Sequence, residues 1–145
     1  MTPKDWTLLV IAAGKGQALT PVQLQKALFL LGKNLNHKQL CVTDFYPFMA
    51  YDYGPFNAQI YSDAKHLRDE GLIIIDPMDA VRYRDYSATV AGSERSEQLR
   101  TELDSVVRDY LDRVVVWVRS LSFTALVQAI YRDYPEMKAN SVFRE

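Results

Sequence analysis

Gly14-Lys15-Gly16 holds residue types that can cradle a phosphate, since glycines let backbone N–H groups approach and a lysine supplies charge. The spacing does not support that chemistry. A phosphate loop needs a glycine, four residues, then Gly-Lys-Ser/Thr opening a helix after a strand, and this stretch has neither the spacing nor the strand. The dinucleotide fingerprint fails too, because Leu19 stands where its third glycine belongs. The stretch reads as a helix stop and a flexible linker. Metal binding needs three or four converging ligands, and His37, His66 and the lone Cys41 fit no known finger spacing. Nucleophilic catalysis needs a base and an orienting group beside the nucleophile, and no Gly-x-Ser-x-Gly elbow is present. No catalytic residue, metal site or cofactor is read, and the chain is expected not to be an enzyme.

Binding chemistry is better represented. If the helix predicted over residues 57–70 entered a DNA groove, Gln59, Ser62 and His66 could meet base edges, while Lys65, Arg68, Arg82 and Arg84 could meet phosphates. The charge balance opposes this. Lys65 and Arg68 are outnumbered there by Asp63, Asp69 and Glu70, and Asp76 and Asp79 sit at the expected hairpin tip. The whole chain has 17 Lys and Arg against 18 Asp and Glu, a net charge of −1, without the basic excess that supplies most phosphate affinity. The aromatic cluster Phe45, Tyr46, Phe48, Tyr51, Tyr53, Phe56 and Tyr61 is the most unusual feature. Most of it is expected in the core, with one or two members exposed as anchors for another protein.

The elements that must position these residues centre on Phe48 to Ile75. Gly54-Pro55 marks a corner, with Pro55 suited to a first helical turn and Asn57 a second possible cap. Ile60, Tyr61, Ala64 and Leu67 then share one helical face, and Gln59, Ser62, Asp63, His66 and Asp69 share the other. Gly71 is expected to stop this helix with a positive φ, and strands over Leu72–Asp76 and Val81–Ala88 make a wing-like hairpin.

Earlier in the chain, Thr2-Pro3 and Thr20-Pro21 predict two helix starts, the second a capping box closed by Gln23. The first helix is apolar on nearly every side and ends at Gly14. The second carries a stripe of Leu24, Ala27, Leu28, Leu31 and Leu35 and ends near Asn34. Asn36 to Tyr53 shows no regular period. Later, one helix is read from about Ser93 to Ser120, with a kink allowed near Asp104. Its valines on a second face suggest burial or a homodimer seam. A last helix follows Ser122, Pro135 stops it, and Met137–Glu145 reads as a frayed or loosely docked tail.

Length and composition fit one domain over 1–145, divided into a core with hairpin over 1–90 and C-terminal helices over 91–145. One cysteine permits no internal disulfide, no signal peptide is read, and the longest apolar run near the start, Leu8 to Ala13, is too short for a bilayer. A cytoplasmic location with no membrane contact is expected.

Two stretches carry a resemblance. Leu24-Gln25-Lys26-Ala27-Leu28-Phe29-Leu30, then Phe48-Met49-Ala50-Tyr51-Asp52-Tyr53-Gly54-Pro55-Phe56 and Ile60-Tyr61, resemble the Panacea family, which includes the SocA-like antitoxins. The family pattern runs Leu-Gln-Lys-Leu-Leu-Tyr, then Phe-x-Ala-x-x-Tyr-Gly-Pro-Val, then Val-Tyr, and the likeness spans Leu19 to Leu72. Phe56 replaces the usual valine. The resemblance implies a mostly helical module, without catalytic residues, that binds a toxin or acts as a protease adaptor. Residues singled out for protein contact are Tyr51, Tyr53, Gly54, Pro55 and His66. The expected fold is mainly α with a small antiparallel hairpin, winged-helix-like. The expected function is a protein-interaction module of antitoxin or adaptor type, with a winged-helix DNA-binding regulator as the alternative.

Overall fold

A computed structural model describes residues 1–77 and 84–144. It is mainly helical, with seven α-helices and two small antiparallel sheets among those residues, an arrangement compatible with a winged helix.

Cap chemistry sets the first three helices. In α1 (Pro3–Ala12) the Asp5 N–H donates to the Thr2 hydroxyl and the Thr2 N–H donates to the Asp5 carboxylate. Thr20 and Gln23 repeat this at α2 (Pro21–Asn34), and Asn36 and Gln39 at the single turn α3 (His37–Leu40). Each box satisfies two N–H groups that a helix start leaves unpaired. Residues Trp6 to Ile11 are all buried, with α1 packed against α2 and two later helices. Residues Leu24 to Phe29 of α2 are likewise all buried, polar Gln25 and Lys26 included. Gly32 interrupts α2 for a steric reason: a Cβ there would lie 2.8 Å from the Phe45 ring.

The region around Pro55 differs from the sequence reading. Met49–Tyr51 and Gly54–Phe56 form a hairpin, β1 and β2, with Tyr51 opposite Gly54. Pro55 therefore sits in a strand, not in a first helical turn. Gly54 has φ +101°, which a Cβ disfavours, and Pro55 brings no N–H to the outer edge. Helix α4 (Gln59–Asp69) starts four residues after Pro55, where the Asn57 carboxamide oxygen accepts the Gln59 N–H at 2.8 Å.

The end of α4 matches the expectation. Gly71 has φ +78°; its N–H donates to the Arg68 carbonyl and the Leu72 N–H to the Leu67 carbonyl, both at 2.9 Å. This is the Schellman arrangement. No atom lies within 4 Å of a Cβ built on Gly71, so the cost of a side chain there is conformational. Gly71→Val is expected to cost roughly 1–2 kcal/mol, read as a lowered melting temperature. An unchanged melting temperature would contradict the placement of the stop.

Strand β3 (Ile73–Asp76) pairs with β4 (Asp85–Ala88), Ile73 opposite Ala88. Among the described residues the second strand is Asp85–Ala88, and Asp79, Val81 and Arg82 of the expected hairpin lie outside them. Leu19, in the linker between α1 and α2, exchanges two backbone hydrogen bonds of 2.9 Å with Tyr86 and ties the linker to this hairpin.

One expectation for the C-terminal third is corrected. Residues 93–120 form two helices, α5 (Val90–Arg100) and α6 (Ser105–Ser120), not one. Leu99, Leu103, Val107 and Leu111 are all buried, so the four-residue step runs straight across the break and conceals it. Arg108 stabilises the break by donating to the carbonyls of Arg100, at the end of α5, and Leu103, in the connection, at 3.2 and 2.5 Å. Of the two readings of the tail, frayed or loosely docked, the second holds. After α7 (Phe123–Asp133) and a 3-10 turn (Pro135–Lys138), Met137 is buried and the Val142 N–H donates to the Asp52 carbonyl at 2.9 Å. The tail is docked. One hydrophobic cluster runs from Trp6 through to Met137, with α5 packed on α1 and α6 on α2.

Candidate protein-interaction surface

The β1–β2 hairpin is held from both edges. On one side Gln25 grips the backbone of Asn57: its amide donates to the Asn57 carbonyl at 2.9 Å, and its oxygen accepts the Asn57 N–H at 3.0 Å. Beside it Lys26 donates to the Pro55 carbonyl at 3.2 Å. Lys26 is 3% exposed, and burial pushes its ammonium down to about 7. The Gln25-Lys26 and Gly54-Pro55 stretches, far apart in sequence, are therefore one joint. On the other side Asn140 donates to the Ala50 carbonyl at 3.1 Å, and the tail reaches Asp52. Both edges of a short sheet that could recruit another strand are thus partly occupied from within the chain.

What this joint presents outward is aromatic. Met49 (62% exposed), Tyr51 (49%) and Tyr53 (42%) project from the hairpin, Phe123 (45%) from the first turn of α7 and Val142 (57%) from the tail. Tyr51 stacks on Phe56 with centroids 4.9 Å apart, and Tyr53 meets Phe123 edge-on at 5.1 Å. Phe143 links Phe123 to Tyr131 at 6.1 and 6.2 Å. Tyr53, Phe123 and Phe143 thus form one ring cluster drawn from the hairpin, α7 and the tail, with the Tyr51–Phe56 stack on the same hairpin. Of the residues expected here, Tyr51 and Tyr53 are on this face, whereas Gly54 and Pro55 are buried and shape it from below. Met49, Phe123 and Val142 were not anticipated. Met49 alternates with Tyr51 along the strand, and that period of two was the available signal. Phe123 opens the last helix predicted after Ser122, and Val142 lies in the segment read as frayed or loosely docked.

Helix α4 and Arg84, just before β4, carry the remaining described candidates. Gln59, Ser62, Lys65 and His66 are exposed, and Arg68 and Arg84 are half-buried. Arg68 bonds its neighbour Asp69 at 3.2 and 3.3 Å, Glu70 pairs with Lys4 at 2.5 Å, and Gln59 donates to Asp63 at 3.0 Å. Asp63 does not belong to the polar face. It is buried, accepting from the Tyr46 hydroxyl at 2.6 Å, and that hydroxyl also meets Thr7 at 2.7 Å. Burial first, then the bond to Asp63, hold the Tyr46 phenol far above its usual range. A network of neutral donors around a carboxylate thus joins α1, the segment after α3, and α4.

A helix-turn-helix joins its two helices by three or four residues. Here residues 35–58 intervene between α2 and α4 and fold into α3 and the β1–β2 hairpin, and α4 packs chiefly on α1 and β3. Among the described residues no cluster of His, Cys, Asp and Glu could hold a metal ion, and no helix is long and apolar enough to cross a membrane. Compared with known proteins, the chain matches no family model, no curated protein and no solved structure.

Proposed function

We propose that this chain is a non-catalytic protein-interaction module of the cytoplasm, of the antitoxin or adaptor type found in the Panacea family it resembles. The exposed apolar side chains of Met49, Tyr51, Tyr53, Phe123 and Val142, with Tyr53 and Phe123 in ring contact, carry this reading. Aromatic side chains on a surface bury much area at low entropic cost, and methionine adapts its shape to a partner, which suits both to interfaces. The family pattern gains support from its own chemistry. Lys26 of its Gln-Lys pair donates to Pro55 of its Gly-Pro pair, and Gln25 bonds Asn57 two residues further on. In this reading the family's shared residues are a scaffold, and the exposed aromatics around it contact the partner.

A DNA-binding regulator is the competing reading, and it fares worse. Of the α4 cations Arg68 is paired with Asp69, and α4 lacks the tight connection to α2 that a helix-turn-helix uses. Co-expression with the products of neighbouring genes tests the proposal. Wild type is expected to co-purify with one of them, and Tyr53→Lys combined with Phe123→Glu is expected to lose it, a fall of about a hundredfold in affinity for two anchor residues. Lys65→Ala and Arg68→Ala are expected to retain it. Retention by the aromatic variant, with tight duplex DNA binding that falls steeply with salt, would overturn the proposal in favour of the regulator.

A further inference from the structure

Helix α6 has a second exposed face that the aromatic cluster does not use. Val106 is 69% exposed and Val116 66%, the largest apolar exposures on this helix. Between them Asp109 and Arg113 form a pair at 3.1 Å, with side chains 68% and 70% exposed. Steps of three, four and three residues put all four on one stripe. The order along the stripe is apolar, acidic, basic, apolar. It is symmetric in position about Leu111: Asp109 and Arg113 lie two residues to either side, and Val106 and Val116 five.

That order is complementary to itself only when reversed. We propose that two copies of this chain associate through α6, antiparallel, about a two-fold axis crossing the helix at Leu111. Val106 then packs on Val116 of the second copy, and Asp109 faces Arg113 of the second copy, twice by symmetry. The half-buried Trp117 falls opposite the small Ser105 of the second copy, large against small. A parallel pairing would set Asp109 on Asp109 and Arg113 on Arg113, and like charges forbid it. The stripe thus selects both the occupant and its direction. Isolated exposed valines would be unremarkable; two of them flanking a self-complementary ion pair are a seam.

Sedimentation equilibrium of the full chain across a concentration series tests this. Wild type is expected to show a reversible monomer–dimer equilibrium. Asp109→Arg and Arg113→Asp should each weaken it about tenfold or more, as should Val116→Glu. Because these positions are well exposed, circular dichroism should show each variant folded. The decisive sample is a mixture of Asp109→Arg with Arg113→Asp. Each alone sets like charges across the axis, whereas the mixed pair sets opposite charges, so the mixture should dimerise where neither component does. Tyr53→Lys should remain dimeric, which separates this seam from the partner-binding face. A wild type monomeric at every concentration, a dimer indifferent to Asp109→Arg, or a mixture that stays monomeric would each overturn the proposal.

Discussion

Lys26→Met is expected to abolish a rise in stability that the wild-type protein shows between pH 7 and pH 9. Burial lowers the folded-state pKa of Lys26 from 10.5 to about 7, with the Pro55 carbonyl its hydrogen-bond partner. Between those values the unfolded chain holds a proton that the folded chain has released, so stability climbs with pH. Below pH 7 both states carry the charge and the burial penalty is fully expressed; towards 10.5 the penalty fades. The climb amounts to roughly 2 kcal/mol between pH 7 and pH 9. Methionine keeps the length without the charge and loses one hydrogen bond worth about 1 kcal/mol, so its profile across that window should be flat. Tyr61 acts in the opposite direction at higher pH. Burial pushes its phenol up to about 12 from 10.0, so the unfolded chain loses that proton first and stability falls from pH 10 towards 12. The wild-type maximum is therefore expected near pH 10. Urea unfolding across this range checks both limbs, and a wild-type profile flat or falling between pH 7 and pH 9 would contradict the buried amine.

Gly92→Ala is expected to destabilise strongly, against the usual rule. Alanine favours a helix interior over glycine by about 1 kcal/mol. At Gly92, however, a Cβ would lie 1.8 Å from the Leu72 carbonyl oxygen and 2.8 Å from its carbon. That backbone cannot swing aside as a side chain would. The Leu72 carbonyl accepts the Thr89 N–H at 3.1 Å, and the Thr89 hydroxyl donates to the Gly71 carbonyl at 2.7 Å while accepting the Gly92 N–H at 3.0 Å. To admit a methyl group, α5 must lift from the corner after α4 and break this set, at a cost of roughly 3 kcal/mol or more. A thermal melt measures it. A melting temperature at or above wild type would show that the approach is looser than described.

Local chemistry was legible and long-range burial was not. The Thr2 and Thr20 caps, the body of α4 and its Gly71 stop depend on residues within one turn of each other, and the sequence displays them directly. Asp63 was misplaced because its burial depends on Tyr46 and Thr7, which approach from other elements. The break between α5 and α6 was hidden because Leu99, Leu103, Val107 and Leu111 keep a helical step while the chain between them does not. Gly92 gave no local sign of its constraint, since the carbonyl it meets belongs to Leu72. At the candidate site Tyr51 and Tyr53 were readable from residue type. Phe123 and Val142 joined them only through the fold, when the docked tail and α7 came up beside the hairpin.

The most direct test of the account places a photo-crosslinking phenylalanine analogue at position 53, and separately at position 62, in the cells that naturally make this protein. The half-exposed Tyr53 tolerates an aromatic replacement, and Ser62 samples the outward face of α4. The account predicts a discrete protein adduct from position 53 and no nucleic-acid adduct from position 62. Nucleic acid captured at 62, with no protein captured at 53, would contradict it.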